Sequence, residues 1–340
     1  MSVKVFVVIP VFNRLNFSRH CLRDISRQTY KDIETIVIDD GSTDKTFKYI
    51  RRHHPQTHVI RGDGNWWWSR SVHEGIEYAL AGAGSNDFIL LLNNDCFFGS
   101  DYIKRLMATA DKFPKAVIGS FCVTISKPVR VVEAGIRIDW PNGVVYSVAE
   151  TISTDPLDYS DIEVVDQLDA LPGKGTLFPV KLIRKMGSVN YQRLPHYLAD
   201  YEFSNRAKKF GYGLLVDVKA VVRHDWEATG YKTDSNSSRL GYKEALRLLF
   251  DRKSMNNIID WLNFVFIVCP EKYLKVNLYT TSRRLTNGLT RVYPLILFRN
   301  TIPEIRRSLY RLSRKLKLIT YRHGLMIKQF PEYHLKNRKA

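Results

Sequence analysis

Apolar residues along the first part of this chain come in short blocks separated by polar clusters. Val3–Ile9 is an unbroken run of β-branched and aromatic side chains, the pattern of a strand covered on both faces of a parallel sheet. The residues after it predict a helix to about Arg27, capped by Asn16 or Ser18. Glu34–Ile38 is a second apolar strand and ends in Asp39-Asp40-Gly41-Ser42. Thr43–Arg52 predicts a helix, His58–Arg61 a short strand and Ser71–Ala81 a further helix. Asp87–Leu92 is another buried strand, ending in Asn93-Asn94-Asp95. Strands alternating with helices at this spacing predict an α/β fold on an open, doubly wound sheet. Ligands of such sheets bind beyond the carboxyl ends of the strands. Asn13, Asp39–Ser42 and Asn93–Asp95 all fall at those ends.

The middle of the chain mixes strands (Val117–Val123, Val144–Val148, Leu214–Val222) with loops and one helix, Asp200–Lys209. Gly211 follows that helix as a left-handed terminator. Beyond Arg239 the pattern turns helical, with Leu240–Phe250 and Ile258–Val268 apolar on several faces. Asn300–Arg322 comes next, with Pro303 suited to its first turn. The expected division is a sheet-bearing body over residues 1–240 and a helical, basic region over 241–340.

Charge changes that picture. The 340 residues carry a formal +18. From Glu271 onward, 17 Lys and Arg stand against three acids, which is +14 and leaves +4 for the first 270 residues. A near-neutral body with a basic tail implies an anionic partner for the tail. Within it, Ile305, Leu309, Leu312, Leu316 and Ile319 share one helical face, and Arg306, Arg307, Arg311, Arg314, Lys315 and Lys317 occupy the rest. Such a helix suits an anionic membrane surface; packing on its own domain is the plainer alternative. No nucleic acid is expected as a partner, since the tail has neither a zinc pattern nor an RNA-binding motif.

The four cysteines, Cys21, Cys96, Cys122 and Cys269, show no CxxC spacing, which fits reduced thiols rather than a disulfide frame or zinc site. The start, MSVKVFVVIPVFN, reads as a strand entering a turn and not as a secretory leader. Ile258–Cys269 is about half the ~20 residues a spanning helix needs. Together these predict a cytoplasmic protein, peripheral at the inner face of the plasma membrane.

Four segments carry a resemblance. VVIPVFNR, SRQTYKDIETIVIDDGSTDKT, DFILLLNNDC, and YLADYEFSNRAKKFGY with VVRHDW resemble, in that order, the family-two glycosyltransferases over residues 3 to about 226. Each motif alone is loose; the ordered set is specific. The resemblance implies a GT-A-like, doubly wound mixed sheet flanked by helices, with a helical, basic C-terminal region. It also implies an inverting enzyme that moves a sugar from a UDP- or dTDP-linked donor to a hydroxyl of a saccharide or lipid-linked saccharide. No GxGxxG follows the first strand, which excludes a Rossmann dehydrogenase.

The resemblance assigns roles to particular residues. Pro10, Phe12, Asn13 and Asp40 match the nucleotide-base pocket. A uracil or thymine presents an imide N–H that wants a fixed carboxylate, and Asp40 is the choice; a strand-ending turn is the plainer alternative. Asn93-Asn94-Asp95 stands where the family has its metal-binding DxD. Asp95 keeps the last carboxylate and Asn93 departs from the pattern, which removes one negative ligand. Mg²⁺ or Mn²⁺ there neutralises a diphosphate leaving group. His224 matches a further metal ligand, and its imidazole favours Mn²⁺. Asn94, Arg70 and Lys174 are expected to contact the nucleotide sugar, although a solvated role suits Arg70 equally and is the plainer reading for Lys174.

Asp200 matches the second residue of the family's ED pair and is the expected general base, with Glu202 as second candidate. Ala199 departs from the acidic first position. Trp66, Trp67 and Trp68 are either core or a stacking surface; the tryptophan-rich loop resembles that of deoxyhexose (rhamnosyl) transferases. Asn93 and Ala199 also motivate a rival reading, an inactive membrane-associated scaffold of polysaccharide assembly.

Overall fold

The structure, a computed structural model, describes residues 3–225 and 247–290, with side chains to residue 284. The boundary expected at 240, most of Leu240–Phe250 and all of Asn300–Arg322 lie outside the described residues.

Four parallel strands form one half of the sheet: β1 (Val5–Val11), β2 (Ile33–Asp39), β3 (His58–Arg61) and β4 (Phe88–Leu91). They are ordered β3-β2-β1-β4. Three crossover helices join them: α1 (Leu15–Ser26), α2 (Thr46–His53) and α3 (Trp67–Gly82). The chain leaves β1 toward β2 and later returns on its other side as β4. The carboxyl ends of β1, β2 and β4 therefore border one crevice, the place where such sheets bind ligands.

The other half is mixed. β5 (Cys96–Phe98), α4 (Tyr102–Lys112), β6 (Ala116–Thr124) and β7 (Val131–Glu133) are followed by the hairpin β8 (Ile136–Asp139) and β9 (Val144–Ser147). Next come β10 (Val164–Val165), β11 (Thr176–Pro179), α5 (Val180–Met186), α6 (Ala199–Lys208) and β12 (Gly213–His224). β11 runs antiparallel between β4 and β6, and β12 runs parallel to β6. The start of β11 and the ends of β4, β6 and β12 thus meet at the same edge as the first crevice.

Both faces of the sheet are covered. Val5, Val7 and Ile9 pack with Cys21, Leu22 and Ile25 of α1, Ile50 of α2 and Leu106 of α4. Phe6, Val8, Ile36 and Ile38 pack with Val72, Ile76 and Ala79 of α3, in a cluster that reaches Leu182 of α5 and Phe203 of α6. This two-sided burial accounts for the unbroken apolar runs in β1 and β4. Gly75 lies where α3 crosses the sheet; a Cβ there would come within 2.5 Å of Val8 and 2.6 Å of Ile38.

Two expectations are corrected. α1 is capped by neither Asn16 nor Ser18: Arg14 holds the cap position in the left-handed region, and Ser18 is buried inside the helix. α3 starts at Trp67 rather than Ser71, because the Asp40 carboxylate gathers the N–H groups of its first turn. Gly211 does terminate α6 with φ +77°. Past β12, residues 247–250 are helical, and the helices Ile258–Val268 and Leu274–Thr290 follow. The first of these packs Phe264 against Leu194, Leu198 and Ala199.

Candidate active site

The crevice is built from strand ends. After β1 the backbone turns through two left-handed residues, Asn13 and Arg14. The Asn13 carbonyl oxygen Oδ1 accepts the N–H groups of Thr43 and Asp44, at 3.0 and 3.2 Å. Ser42 Oγ accepts the Asn13 N–H at 2.7 Å. Asn13 therefore ties the β1 end to the β2–α2 loop, and Phe12 beside it stands 53% exposed. Asp40 is buried, and its carboxylate accepts N–H groups from Gly64, Trp66 and Trp67 at 2.9, 3.0 and 3.0 Å. Three of its roughly four acceptor positions are thereby used.

That capping fixes the tryptophan segment. Trp66 and Trp68 pack on the core beneath the sheet. The Trp68 indole N–H donates to Asn93 Oδ1 at 2.9 Å. Trp68 also lies against Gly173, where a Cβ would sit 2.4 Å from the indole ring. Trp67 is partly buried, with its ring centroid 5.5 Å from that of His196 and the Arg252 guanidinium 5.9 Å away. Arg70, one turn into α3, lies 4.8 Å from the Trp66 ring and 3.5 Å from Glu74.

At the end of β4, Asp95 is buried between three elements. Its Oδ2 is 3.2 Å from Arg14 Nη1 and its Oδ1 is 3.5 Å from His224 Nε2, on the last residue of β12. Burial raises the Asp95 pKa, but His224, Arg14 and Lys174 outweigh it and the carboxyl titrates below its ordinary value. Asp95 Oδ1 is buried and accepts no hydrogen bond. Asn94 points elsewhere: its amide donates to Ser18 of α1 at 3.0 Å in the interior.

The loop entering β11 closes the crevice and is pinned along its length. Leu171 N–H donates to Ser204 Oγ at 2.8 Å, Gly173 N–H to Asp200 Oδ2 at 2.9 Å, and Gly175 N–H to the Leu91 carbonyl at 2.9 Å. Lys174 Nζ is 3.3 Å from Glu133 Oε2. Burial works against the Lys174 charge, yet Glu133, with the nearby thiols and Asp95, lifts its pKa above the ordinary lysine value. Asp200 is the second residue of α6 and is half-buried. Desolvation pushes its pKa up to about 6; the Gly173 hydrogen bond opposes this, and the Glu133 charge adds to it. Asp95, Lys174, Glu133 and Asp200 therefore form one electrostatic cluster.

Comparison with known proteins fits this geometry. Residues 6–154 match the family model described as "Glycosyl transferase family 2". Over that stretch, a little under half of the chain, the sequence is similar to the family 2 glycosyl transferases. Glycosyltransferase GlyA of Streptococcus pneumoniae serotype 4 is 30% identical over 105 residues, which is 30% of this chain and 14% of that protein. The chain thus matches only a small share of that relative's length. Among solved structures, GalNAc-T7 with UDP, GalNAc and Mn²⁺ aligns at TM-score 0.54 and 14% identity, over 86% of this chain and 58% of that one. The mannosyltransferase PcManGT of Pyrobaculum calidifontis, with GDP-Man and Mn²⁺, aligns at TM-score 0.53 and 15% identity, over 94% and 82%. At these identities the likeness concerns the fold, a GT-A-like mixed α/β sheet flanked by helices.

In the structure Asp95, His224, Lys174 and Asp200 come together at the crevice, and Pro10, Phe12, Asn13 and Asp40 frame its β1–β2 end. Asn94 is turned into the interior and Arg70 is engaged with Trp66 and Glu74. Glu202, the second candidate base, is buried in a two-pronged ion pair with Arg206 at 2.9 and 3.0 Å, which leaves it no access to an acceptor. Ala199 is fully buried against Phe264; an acid there would have to be desolvated, which accounts for the departure from the family pair.

The Asp95–His224 pair fits a divalent cation. Two donor atoms sit 3.5 Å apart, and the buried Oδ1 lacks a hydrogen bond. No group of three or more His, Cys, Asp or Glu assembles among the described residues. One carboxylate completed by substrate phosphates is enough for such a site, and the imidazole beside it favours Mn²⁺.

Two site residues escaped the sequence reading. Arg14 sits inside VVIPVFNR and was legible only as helix-start polarity. Glu133 had one signal, a lone acid within the apolar run VVEAGI, which on a strand buried beside β6 must find a cationic partner.

Proposed function

We propose that this glycosyltransferase transfers a hexosyl or deoxyhexosyl unit, rhamnosyl being one candidate, from a UDP- or dTDP-sugar with inversion. The acceptor is a hydroxyl of a saccharide or lipid-linked saccharide, and Asp200 is the base. One observation carries the reading: a half-buried carboxylate with its pKa lifted to about 6 sits in the same charged cluster as Asp95. Such a group is ionised at neutral pH and is basic enough to accept a proton. The acceptor O–H gives its proton to Asp200 as its oxygen attacks the anomeric carbon. The bond from that carbon to the diphosphate oxygen breaks with its electron pair leaving on the nucleotide. Asp95 and His224 would hold Mn²⁺ or Mg²⁺, which supplies charge neutralisation for the diphosphate.

Phe12 offers an exposed ring for the base, framed by Pro10 and Asn13, and Asp40 holds the loop that shapes the pocket while one acceptor position remains for an imide N–H. Asn94 is left out of the donor contacts. Lys174 adds positive charge between the leaving group and Asp200. The +14 of the tail supports peripheral work at an anionic membrane, at its cytoplasmic face. The test is transfer from a panel of UDP- and dTDP-sugars with Mn²⁺. Asp200→Asn should lose transfer by 10²–10⁴-fold while still binding donor; near-normal transfer by that variant overturns the assignment.

A further inference from the structure

The helix Ile258–Val268 is apolar on both sides. One side is accounted for: Ile258, Phe264 and Val265 are buried, and Phe264 packs on the start of α6. The opposite side carries Ile259, Leu262 and Phe266, at steps of three and four residues, which is one helical face. Ile259 is 53% and Phe266 55% exposed, and Leu262 is partly so. Asn263, the polar residue on this face, has its amide donated to the Arg193 carbonyl at 2.8 Å. A polar exterior is what a helix packed on one side ordinarily presents to water. This one presents aliphatic and aromatic side chains, and the turn before it exposes Phe250 and Met255 as well.

Exposed cations flank the helix along the chain and at its Asn263 contact. Arg252 and Lys253 are exposed just before the helix, Lys272 just after it, and Arg193 beside Asn263; Glu271 is the exposed acid near its end. From Glu271 on, the chain carries the +14 already noted. Exposed apolar side chains on a helix flanked by exposed cations match the boundary between acyl chains and anionic headgroups. A soluble partner protein would need the opposite charge in a fixed pattern; a bilayer supplies it as a continuous surface.

We infer that Ile259, Leu262 and Phe266 insert into an anionic lipid surface and that this helix docks the enzyme on the membrane. The position matters for the chemistry. Phe264 on the inner side shares a buried cluster with Ala199, next to Asp200, and Arg252 approaches Trp67 at the crevice rim. Docking through this face would hold the base of α6 close to the membrane, where a lipid-linked acceptor presents its hydroxyl. That consequence rests on the function proposed above; the docking itself does not.

The full chain tests it. In a Phe266→Cys, Cys269→Ser variant, an environment-sensitive NBD label at position 266 reports burial, since Cys21, Cys96 and Cys122 are buried and should not react. Vesicles of phosphatidylglycerol should shift its emission to the blue, and spin-labelled acyl chains should quench it; phosphatidylcholine vesicles should do neither. An Ile259→Glu, Phe266→Glu variant should lose at least tenfold in vesicle affinity while keeping Mn²⁺-dependent UDP binding in solution. The inference is overturned by vesicle binding without a spectral change, or by unaltered affinity of the double variant. It is equally overturned by a label already blue-shifted without lipid, which would mean that a second copy or the chain itself covers the face, with sedimentation velocity telling these apart. Intact docking with no donor turnover would instead count against the transferase reading alone.

Discussion

Replacing Asp200 by Asn should make the protein inactive and more stable at once. Lifting the carboxyl pKa from 3.8 to about 6 means that the fold disfavours the ionised form by about 3 kcal/mol, at 1.36 kcal/mol per pH unit. The folded-state value lies above the unfolded one, so the destabilisation is fully present above about pH 6. It fades as pH falls and is gone below about pH 4. Asn carries no charge and keeps an oxygen for the Gly173 N–H, but it loses the Tyr201 N–H bond to the other carboxylate oxygen, which costs about 1 kcal/mol. The net gain of about 2 kcal/mol corresponds, in a chain of this size, to roughly 3 °C in melting temperature. The assay is thermal unfolding of both proteins from pH 4 to pH 8 beside transfer rates. The variant should melt about 3 °C higher at pH 7.5 and about 2 °C lower than the wild type at pH 4, where only the lost Tyr201 bond remains. Wild-type transfer should show an acid limb near pH 6, because the base works only when deprotonated. A variant that melts lower at pH 7.5, or by a pH-independent difference, refutes the burial argument.

Three further outcomes separate the parts of the site. Glu202→Gln should cost about 3–5 kcal/mol, because it leaves the Arg206 charge without its buried carboxylate, yet transfer per folded molecule should stay near normal; denaturant unfolding and active-site titration measure the two. Asn93→Asp should keep the Trp68 N–H bond and add a negative donor beside Asp95, tightening Mn²⁺ by about tenfold, or ~1.4 kcal/mol, in an electron-spin-resonance titration. Gly173→Ala places a Cβ 2.4 Å from the Trp68 ring. It should destabilise by about 1–3 kcal/mol and slow transfer by displacing the N–H that Asp200 accepts, measured by melting and single-turnover rates.

The parallel half of the fold was legible because burial on both faces writes itself as unbroken apolar runs. His58–Arg61 and Ile258–Val268 have the limits that their patterns predicted. The mixed half was harder to read. β10 has two residues and β7 three, too short to show periodicity, so Glu133 on β7 could not be placed beside Lys174 on a distant loop. The carboxylates at strand ends were readable from their positions in the motifs. What Asp40 does was not, since it depends on where the backbone N–H groups of Gly64, Trp66 and Trp67 turn. Asn93 read as a missing charge, and the fold gives it a task as acceptor for Trp68. Ala199 read as a loss, and the packing of Phe264 explains it.

The most direct test of the central claim is calorimetric titration of the full chain with UDP, dTDP and GDP, each with Mn²⁺ and with EDTA. The account predicts that UDP or dTDP binds with Mn²⁺, and that binding weakens sharply with EDTA or in Asp95→Asn. If no nucleotide binds under any condition, or binding ignores both Mn²⁺ and Asp95, then the crevice is not a nucleotide-sugar site.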